Sequence, residues 1–503
     1  MIKHVIVQAG GKGSRMGKFS ENKPKCLISI GGIPVLKSIS IAFPGSTLHI
    51  IGDYKIEVLE NYLETVDIGF KYDIIKAEGE GTNSGIKDAL MLVPDGEQFV
   101  ITWSDLFYTS KIEIPVEHGN YIFLTDLNKC RYSFRDGIFK EENTNKYGVI
   151  GLFLFKNKAA ISSIPRSGEF VKFLSSISVK FTPISTQSVN EVGTMDSLLW
   201  IRSKYPSSRF FNNIQIEENV VIKSALDQKY QGLILDEISW YKFMQEANFK
   251  GIPKIISFSP LKMERIRGKH PHQLIGIPKD EKIGLVNNII LNLKSIHSIG
   301  GSLLRTDDMY NVYVNKTLER IKPVIKLLKL NEKKTFIING QRVESLGPKD
   351  SEVLDSLFKK LTPIEKFRSI HGDPTFSNIF ITDTNDVKFI DPRGYFGSSK
   401  IFGDPRYDFA KLYYSLFGNY DQFNSENFKI TMNLPEVSIK IDSSQFEFTD
   451  EIFKNELKGI YRDIKILHAF IWLSLSGYVL NDYDSVIAAY FMGLLYLNGV
   501  LNE

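Results

Sequence analysis

Residues 371–391 read HGDPTFSNIFITDTNDVKFID. Asp373 is followed five residues later by Asn378, and a short, mostly apolar run at 387–390 then delivers Asp391. Taken one at a time, such residues cap loops and turns. Taken together, a carboxylate, an amide and a second carboxylate at fixed spacing form a set of oxygen donors rather than three separate caps.

Protein kinases place a base Asp and a metal-binding Asn at this spacing and follow them with a second metal-binding Asp. The chemistry accounts for the set. One carboxylate meets the hydroxyl that attacks the γ-phosphate, while an amide and a second carboxylate hold Mg²⁺ on the phosphates from the other side. Here Gly372 stands in place of the kinase Arg, and Pro392-Arg393 follow Asp391 where protein kinases have Phe-Gly. H-G-D-x-x-x-x-N with I-D-P resembles the aminoglycoside phosphotransferase and choline kinase family. The resemblance implies Asp373 as catalytic base, Asn378 and Asp391 as Mg²⁺ ligands, ATP as phosphate donor and a small-molecule alcohol as acceptor. It spans roughly 208–490 and implies a bilobal protein-kinase-like domain over 208–503, with an N-lobe at 208–268 and a C-lobe at 269–503.

Residues upstream fit that frame. Residues 204–208, KYPSS, break the preceding helix, and 211–225 read as a β-hairpin turning at 217–219. Lys223 in VVIKSA is by itself a solvated strand lysine. Beside the segment at 371–391 it resembles the kinase lysine that meets the α- and β-phosphates, with Glu237 as its helix partner. Strands at 255–258 and 262–266 close the N-lobe, and the backbone from Met263 to Arg265 is where this family meets adenine. Residues 285–296 have amphipathic helical spacing. Asp404 and Asp408 are expected to support the catalytic loop. Tyr395, Phe396, Tyr407, Tyr413 and Tyr414 serve either as core or as a cage for a quaternary ammonium.

The N-terminal half has its own signature. His4–Gln8 reads as a buried strand that runs into AGGKGSRMG. Glycines after a strand let backbone N–H groups approach phosphate oxygens, and Arg15 and Lys25 add charge. Gly11-Lys12 is followed by Gly, so a Walker A does not fit, and Met16 stands where a Rossmann fingerprint needs its third glycine. A-G-G-x-G-S-R-M, with Pro24-Lys25 downstream and IGGIPVL at 30–36, resembles the sugar-phosphate and phosphocholine nucleotidyltransferases. That resemblance implies triphosphate binding by Gly10, Gly11, Gly13 and Ser14, with Arg15 and Lys25 catalytic. It implies Mg²⁺ on Asp105, after the strand at 99–103, and on Glu191 of EVGTMDS, where the family more often has Asp. It also implies base and ribose contacts from Gln8 and from the loop 78–85 through Gly81 and Thr82. That loop is equally read as a turn N-capped by Thr82 or Ser84.

Strands at 4–8, 47–51 and 98–103 alternate with helices near 34–42 and 55–65. This is the α/β pattern of a Rossmann-like, mostly parallel sheet over 1–207, with active-site loops at the carboxyl ends of its strands.

Composition bounds the rest. The chain has 503 residues, 43% hydrophobic and 24% charged, with net charge +4 and two cysteines. Two or three domains are expected, with no disulfide framework and no call for nucleic acid. The N-terminal apolar run is too short for a signal peptide, and apolar segments at 468–480 and 485–501 read as buried helices, not membrane insertions. A cytoplasmic enzyme follows, and a homo-oligomer is compatible with it.

The two resemblances fit one pathway, in which a kinase makes a phosphomonoester and a nucleotidyltransferase couples it to an NTP. CTP is favoured, the product being an NDP-activated donor for capsule, lipopolysaccharide or lipid decoration. A sugar kinase joined to a sugar-1-phosphate nucleotidyltransferase is the alternative. A sensor or scaffold with one inactive domain is the rival of another class.

Overall fold

The computed structural model describes residues 1–127, 129–205, 212–330, 334–347 and 351–503. The expected boundary at 207/208 and Phe211 at the start of the expected hairpin lie outside them. The chain divides into two units, Met1–Ser208 with Leu480–Asp484, and Arg209–Val479 with Ser485–Glu503.

Four parallel strands form the centre of the first unit. His4–Gln8 lies between Thr47–Gly52 and Phe99–Trp103, and Lys71–Lys76 adds to the outer edge of Thr47–Gly52. Near-continuous apolar runs suit strands covered on both faces, and Val5, Ile6, Val7, Phe99, Val100 and Ile101 are buried. The register sets Gln8 opposite both Ile51 and Trp103. The loops after Gln8 and after Trp103 therefore leave the sheet at one edge, and the Ser104 N–H donates to the Gln8 carbonyl at 3.2 Å. Helices Val35–Ala42 and Ile56–Thr65 make the crossovers.

The other side of this nine-stranded sheet is mainly antiparallel, which the alternation of elements did not announce. Gly148–Phe155 pairs antiparallel with Phe99–Trp103 and with Tyr121–Thr125. The hairpin of Cys130–Arg135 and Ile138–Thr144 extends that edge. A two-stranded ribbon beside the sheet pairs Val189–Glu191 with Leu106–Tyr108, setting Glu191 opposite Leu106.

The second unit opens with an antiparallel sheet in the order Asn212–Ile216, Val220–Ala225, Leu261–Glu264, Ile255–Phe258. Helix Gln231–Glu246 packs on it. The expected last strand at 262–266 is Leu261–Glu264, so Arg265 lies beyond it. The larger part is mainly helical, with Lys279–Ile299, Lys316–Leu327, Pro405–Leu416, Tyr461–Ser476 and Tyr483–Leu501. A four-stranded sheet of Thr335–Ile338, Gln341–Glu344, Phe428–Asn433 and Glu436–Ile441 was not foreseen. Helix Tyr483–Leu501 is long and apolar enough to cross a membrane, and 72% of its apolar window is buried.

Candidate active sites

In the first unit the glycine loop takes its shape from Gly13, in the left-handed region at φ 63°, which turns the chain into the 3-10 segment Ser14–Ser20. The Met16 N–H and the Ser20 hydroxyl both donate to the Gly13 carbonyl, each at 2.8 Å. This segment carries Ser14 and Arg15. Lys25 crosses the loop, since a Cβ on Gly11 would sit 3.6 Å from its Cε. Its ammonium meets Asp105 Oδ2 at 2.6 Å.

Glu191 arrives from the ribbon, and the Val192 N–H donates to the Asp105 carbonyl at 2.8 Å. The next turn centres on Gly193. A Cβ there would lie 3.1 Å from Glu191 Oε1, 3.3 Å from Asp105 Oδ2 and 3.4 Å from Arg15 Nη2. Two carboxylates and a guanidinium thus face one small space that only glycine leaves open. Burial, and next to it Asp105, push the Glu191 carboxyl up to about 7, against Arg15 and Lys25. Such a pair fits a divalent cation, which relieves both repulsion and desolvation. Among the described residues no group of three or more His, Cys, Asp or Glu forms a metal cluster. A Mg²⁺ on Asp105 and Glu191 would take its other oxygens from phosphate and water.

The loop 78–85 is shaped by its neighbours. The Gln8 amide donates to the carbonyls of Thr82 (2.8 Å) and Ser84 (2.9 Å). The Thr82 hydroxyl accepts from the Phe170 N–H at 2.8 Å, and a Cβ on Gly81 would come 2.4 Å from the Gly168 carbonyl. The N-cap reading is corrected here. Helix Ile86–Ala89 starts from Gly85 at φ 75° without a side-chain cap. The Gln8 side chain is committed to this loop. Gly10 packs against Asp53, 3.1 Å from where its Cβ would be.

In the second unit Lys223 is buried, with its ammonium 2.6 Å from Glu237 and 2.9 Å from Asp391. Burial works against its charge, but Asp391 and Glu237 more than compensate and hold its pKa above the usual lysine value. Asp391 reaches this position with φ 55°, a rare value outside glycine. Asn378 enters the hairpin beside it, where the Ile390 N–H donates to the Asn378 carbonyl at 2.9 Å. The Asn378 amide nitrogen donates to the Asp373 carbonyl at 2.8 Å, which ties the two positions of the loop together. The Asn378 amide and the Asp391 carboxylate supply hard oxygen donors that fit Mg²⁺.

Asp408, in the first turn of Pro405–Leu416, holds the loop at its start. Its carboxylate accepts from the N–H of His371 (2.8 Å) and of Gly372 (2.7 Å), and faces His297 Nε2 at 3.0 Å. Asp404 caps that helix by accepting from the Arg406 N–H. His371 Nε2 pairs with the Ile390 carbonyl at 3.0 Å, so the loop is braced from both strands of the hairpin.

Met263 lies in the inner strand Leu261–Glu264, opposite Val221 and Ile255. The Arg265 N–H donates to the Asn219 carbonyl at 2.9 Å, which ties it to the hairpin turn. Lys411, one helical turn after Asp408, escaped the sequence reading. It lies 3.0 Å from Asp373 Oδ1.

No family model matches the chain. Over 150 residues, 29% of this chain, it is 26% identical to the bifunctional protein GlmU of Methanocaldococcus jannaschii, and it spans about a third (32%) of that relative's length. Among solved structures it is similar to HddC from Yersinia pseudotuberculosis, with 20% identity over 41% of this chain and 100% of that one, at TM-score 0.35. An inositol-1-phosphate CTP transferase from T. maritima covers 41% of this chain and 97% of its own, at 14% identity and TM-score 0.33. The CTP:phosphocholine cytidylyltransferase LicC from Streptococcus pneumoniae covers 41% and 99%, at 12% identity and TM-score 0.32. The N-terminal region thus resembles part of the bifunctional protein GlmU, and the strands at the centre of its sheet are parallel.

Proposed function

We propose that the chain is a bifunctional enzyme. Residues 208–503 phosphorylate a small alcohol with ATP. Residues 1–207 couple the phosphomonoester to an NTP, with CTP favoured, and release pyrophosphate. The observation that carries this reading is that each unit holds its own close lysine–carboxylate pair, Lys25 with Asp105 beside the glycine loop and Lys223 with Asp391 at the end of the segment that carries Asp373 and Asn378. The resemblance of the first unit to GlmU agrees with its half of the reading.

At the second unit, Asp373 takes the proton of the acceptor hydroxyl as that oxygen bonds to the γ-phosphorus and ADP leaves. Lys223 steadies the α- and β-phosphates, and Asn378 and Asp391 would hold Mg²⁺. At the first unit, a phosphate oxygen of the monoester bonds to the α-phosphorus of the NTP and pyrophosphate leaves. Arg15 and Lys25 offset the charge that develops there, with Asp105 and Glu191 as the places for Mg²⁺. In both sites the ion supplies charge neutralisation at the phosphates.

The alternative, a sugar kinase with a sugar-1-phosphate nucleotidyltransferase, is favoured by Gly193-Thr194. Gly193 opens the cradle, and Thr194 caps helix Met195–Lys204 in a capping box with Ser197. A scaffold role would leave the two acidic sets without work. The test is to incubate the full chain with ATP, each NTP and a panel of alcohols, followed by mass spectrometry. A phosphomonoester with ATP and its NDP conjugate with a second NTP are expected. Absence of both products across the panel overturns the reading.

A further inference from the structure

The surroundings of Asp373 are cationic to a degree that the reading above does not use. The π-helical segment Asn311–Asn315 passes into helix Lys316–Leu327, a local change of winding that often marks functional positions. Lys316 and Arg320 then follow one turn apart on one face. Lys316 lies within electrostatic reach of Arg393, Arg320, Lys411 and Asp373. Arg393 is fixed beside the catalytic loop, with its N–H donating to the His371 carbonyl at 2.9 Å. A Cβ on Gly372 would lie 2.8 Å from Arg393 Cβ. Lys411 touches Asp373 itself.

Asp373 offsets part of this like charge, and a second anion would offset more of it. The aromatic rings nearby do not offer a vacant cage for an ammonium ligand, because the chain's own cations already lie over them. Arg393 sits over Tyr395 (5.7 Å) and Tyr407 (5.5 Å), Arg320 over Tyr478 (5.2 Å) and Lys411 over Tyr414 (5.2 Å).

We propose that the alcohol phosphorylated at Asp373 carries its own anionic group, a phosphate or a carboxylate, bound by Lys316 and Arg320. This rests on the kinase reading. It makes the acceptor a phosphorylated or acidic polyol or sugar and sets aside choline and other amines. The acceptor hydroxyl oxygen bonds to the γ-phosphorus, the bond to ADP breaks, and Asp373 receives the proton. The remote anion stays intact and serves only to position the acceptor.

The test is calorimetry on the full chain with four classes of alcohol: phosphate-bearing (glycerol phosphate, hexose 6-phosphates), carboxylate-bearing (glycerate, gluconate), amine-bearing (choline, ethanolamine) and neutral (glycerol, glucose). Steady-state transfer from ATP is measured on the same set. One anionic class should bind at least tenfold tighter than the other two kinds. Lys316→Met and Arg320→Met should weaken it at least tenfold with the KM for ATP unchanged, and Lys316→Arg should restore much of it. Unfolding curves for each variant separate loss of the site from loss of the fold. Equal or tighter binding of amines or neutral alcohols overturns the proposal, as does binding of none. A rise in the KM for ATP with acceptor binding unchanged also overturns it, since the cluster then serves the nucleotide. Anion binding that the variants abolish, but without transfer from ATP, supports the anion site and overturns the kinase reading instead.

Discussion

The Lys25 ammonium lies 2.6 Å from Asp105 Oδ2, and the place where a Cβ on Gly193 would stand is 3.3 Å from that oxygen and 3.1 Å from Glu191 Oε1. Gly193→Ala is therefore expected to crowd the carboxylates without touching the sheet. Pyrophosphate release should fall at least tenfold, with the urea midpoint and ATP-dependent phosphorylation as in the parent chain. An alanine variant with the parent's pyrophosphate rate would show that the space at Gly193 is not used.

Asp373→Asn is expected to abolish phosphorylation of the alcohol while leaving nucleotidyl transfer from an added phosphomonoester near the parent rate. The two acidic sets lie in separate units. A folded Asp373→Asn chain that lost both activities would show one catalytic unit in place of two.

Protons report on Lys316. Burial, then Arg393, Arg320 and Lys411, push its ammonium down to about 6, against Asp373. At pH 7.5 it is mostly neutral in the free protein. A bound anion favours the charged form, so binding an anionic alcohol should take up protons at pH 7.5, and the uptake should fade by pH 5, where Lys316 is already charged. Calorimetry in buffers of different ionisation heat measures this. Proton release at pH 7.5, or uptake that persists in Lys316→Met, contradicts it.

The segment Leu480–Asp484 belongs to the first unit. Lys23 is 1% exposed and pairs with Asp482 at 2.8 Å and Asp484 at 3.0 Å. Burial would strip its charge, and the two carboxylates hold it above the usual lysine range. A fragment ending at 208 loses both, and an uncompensated buried charge costs about 3–5 kcal/mol. The fragment carrying Lys23→Met should therefore unfold at higher urea than the unsubstituted fragment. The reverse order would contradict this account of Lys23.

The parts of the fold that the sequence shows are those where local pattern and tertiary role agree. His4–Gln8 is short, apolar and followed by glycines, so both the strand and its loop are visible before the sheet is known. The hairpin at 212–225 was legible as well, whereas two others carried a turn signal that the reading did not use. Asp136-Gly137 and Asn339-Gly340 have positive φ at both positions, the requirement of the tight turn that such pairs favour. Asp373, Asn378 and Asp391 stand out because a single hairpin carries them at fixed spacing. Lys316, Arg393 and Lys411 come from three elements, and no spacing rule joins them. Lys411 carried a faint signal, three residues after Asp408 on the same helix. Gly193 looked like part of a motif, but its role as the space between three side chains exists only in the fold.

The central claim is that the first unit makes a phosphoanhydride from a monoester and an NTP. Its most direct measurement is pyrophosphate release by the full chain, with all four NTPs crossed against a set of phosphomonoesters, in the parent and in Asp105→Ala. The account predicts release matched one for one by an NDP conjugate, falling by ~10²–10³ in Asp105→Ala, as expected for losing one electrostatic stabiliser. No release with any pair, or release at the parent rate in Asp105→Ala, would contradict it.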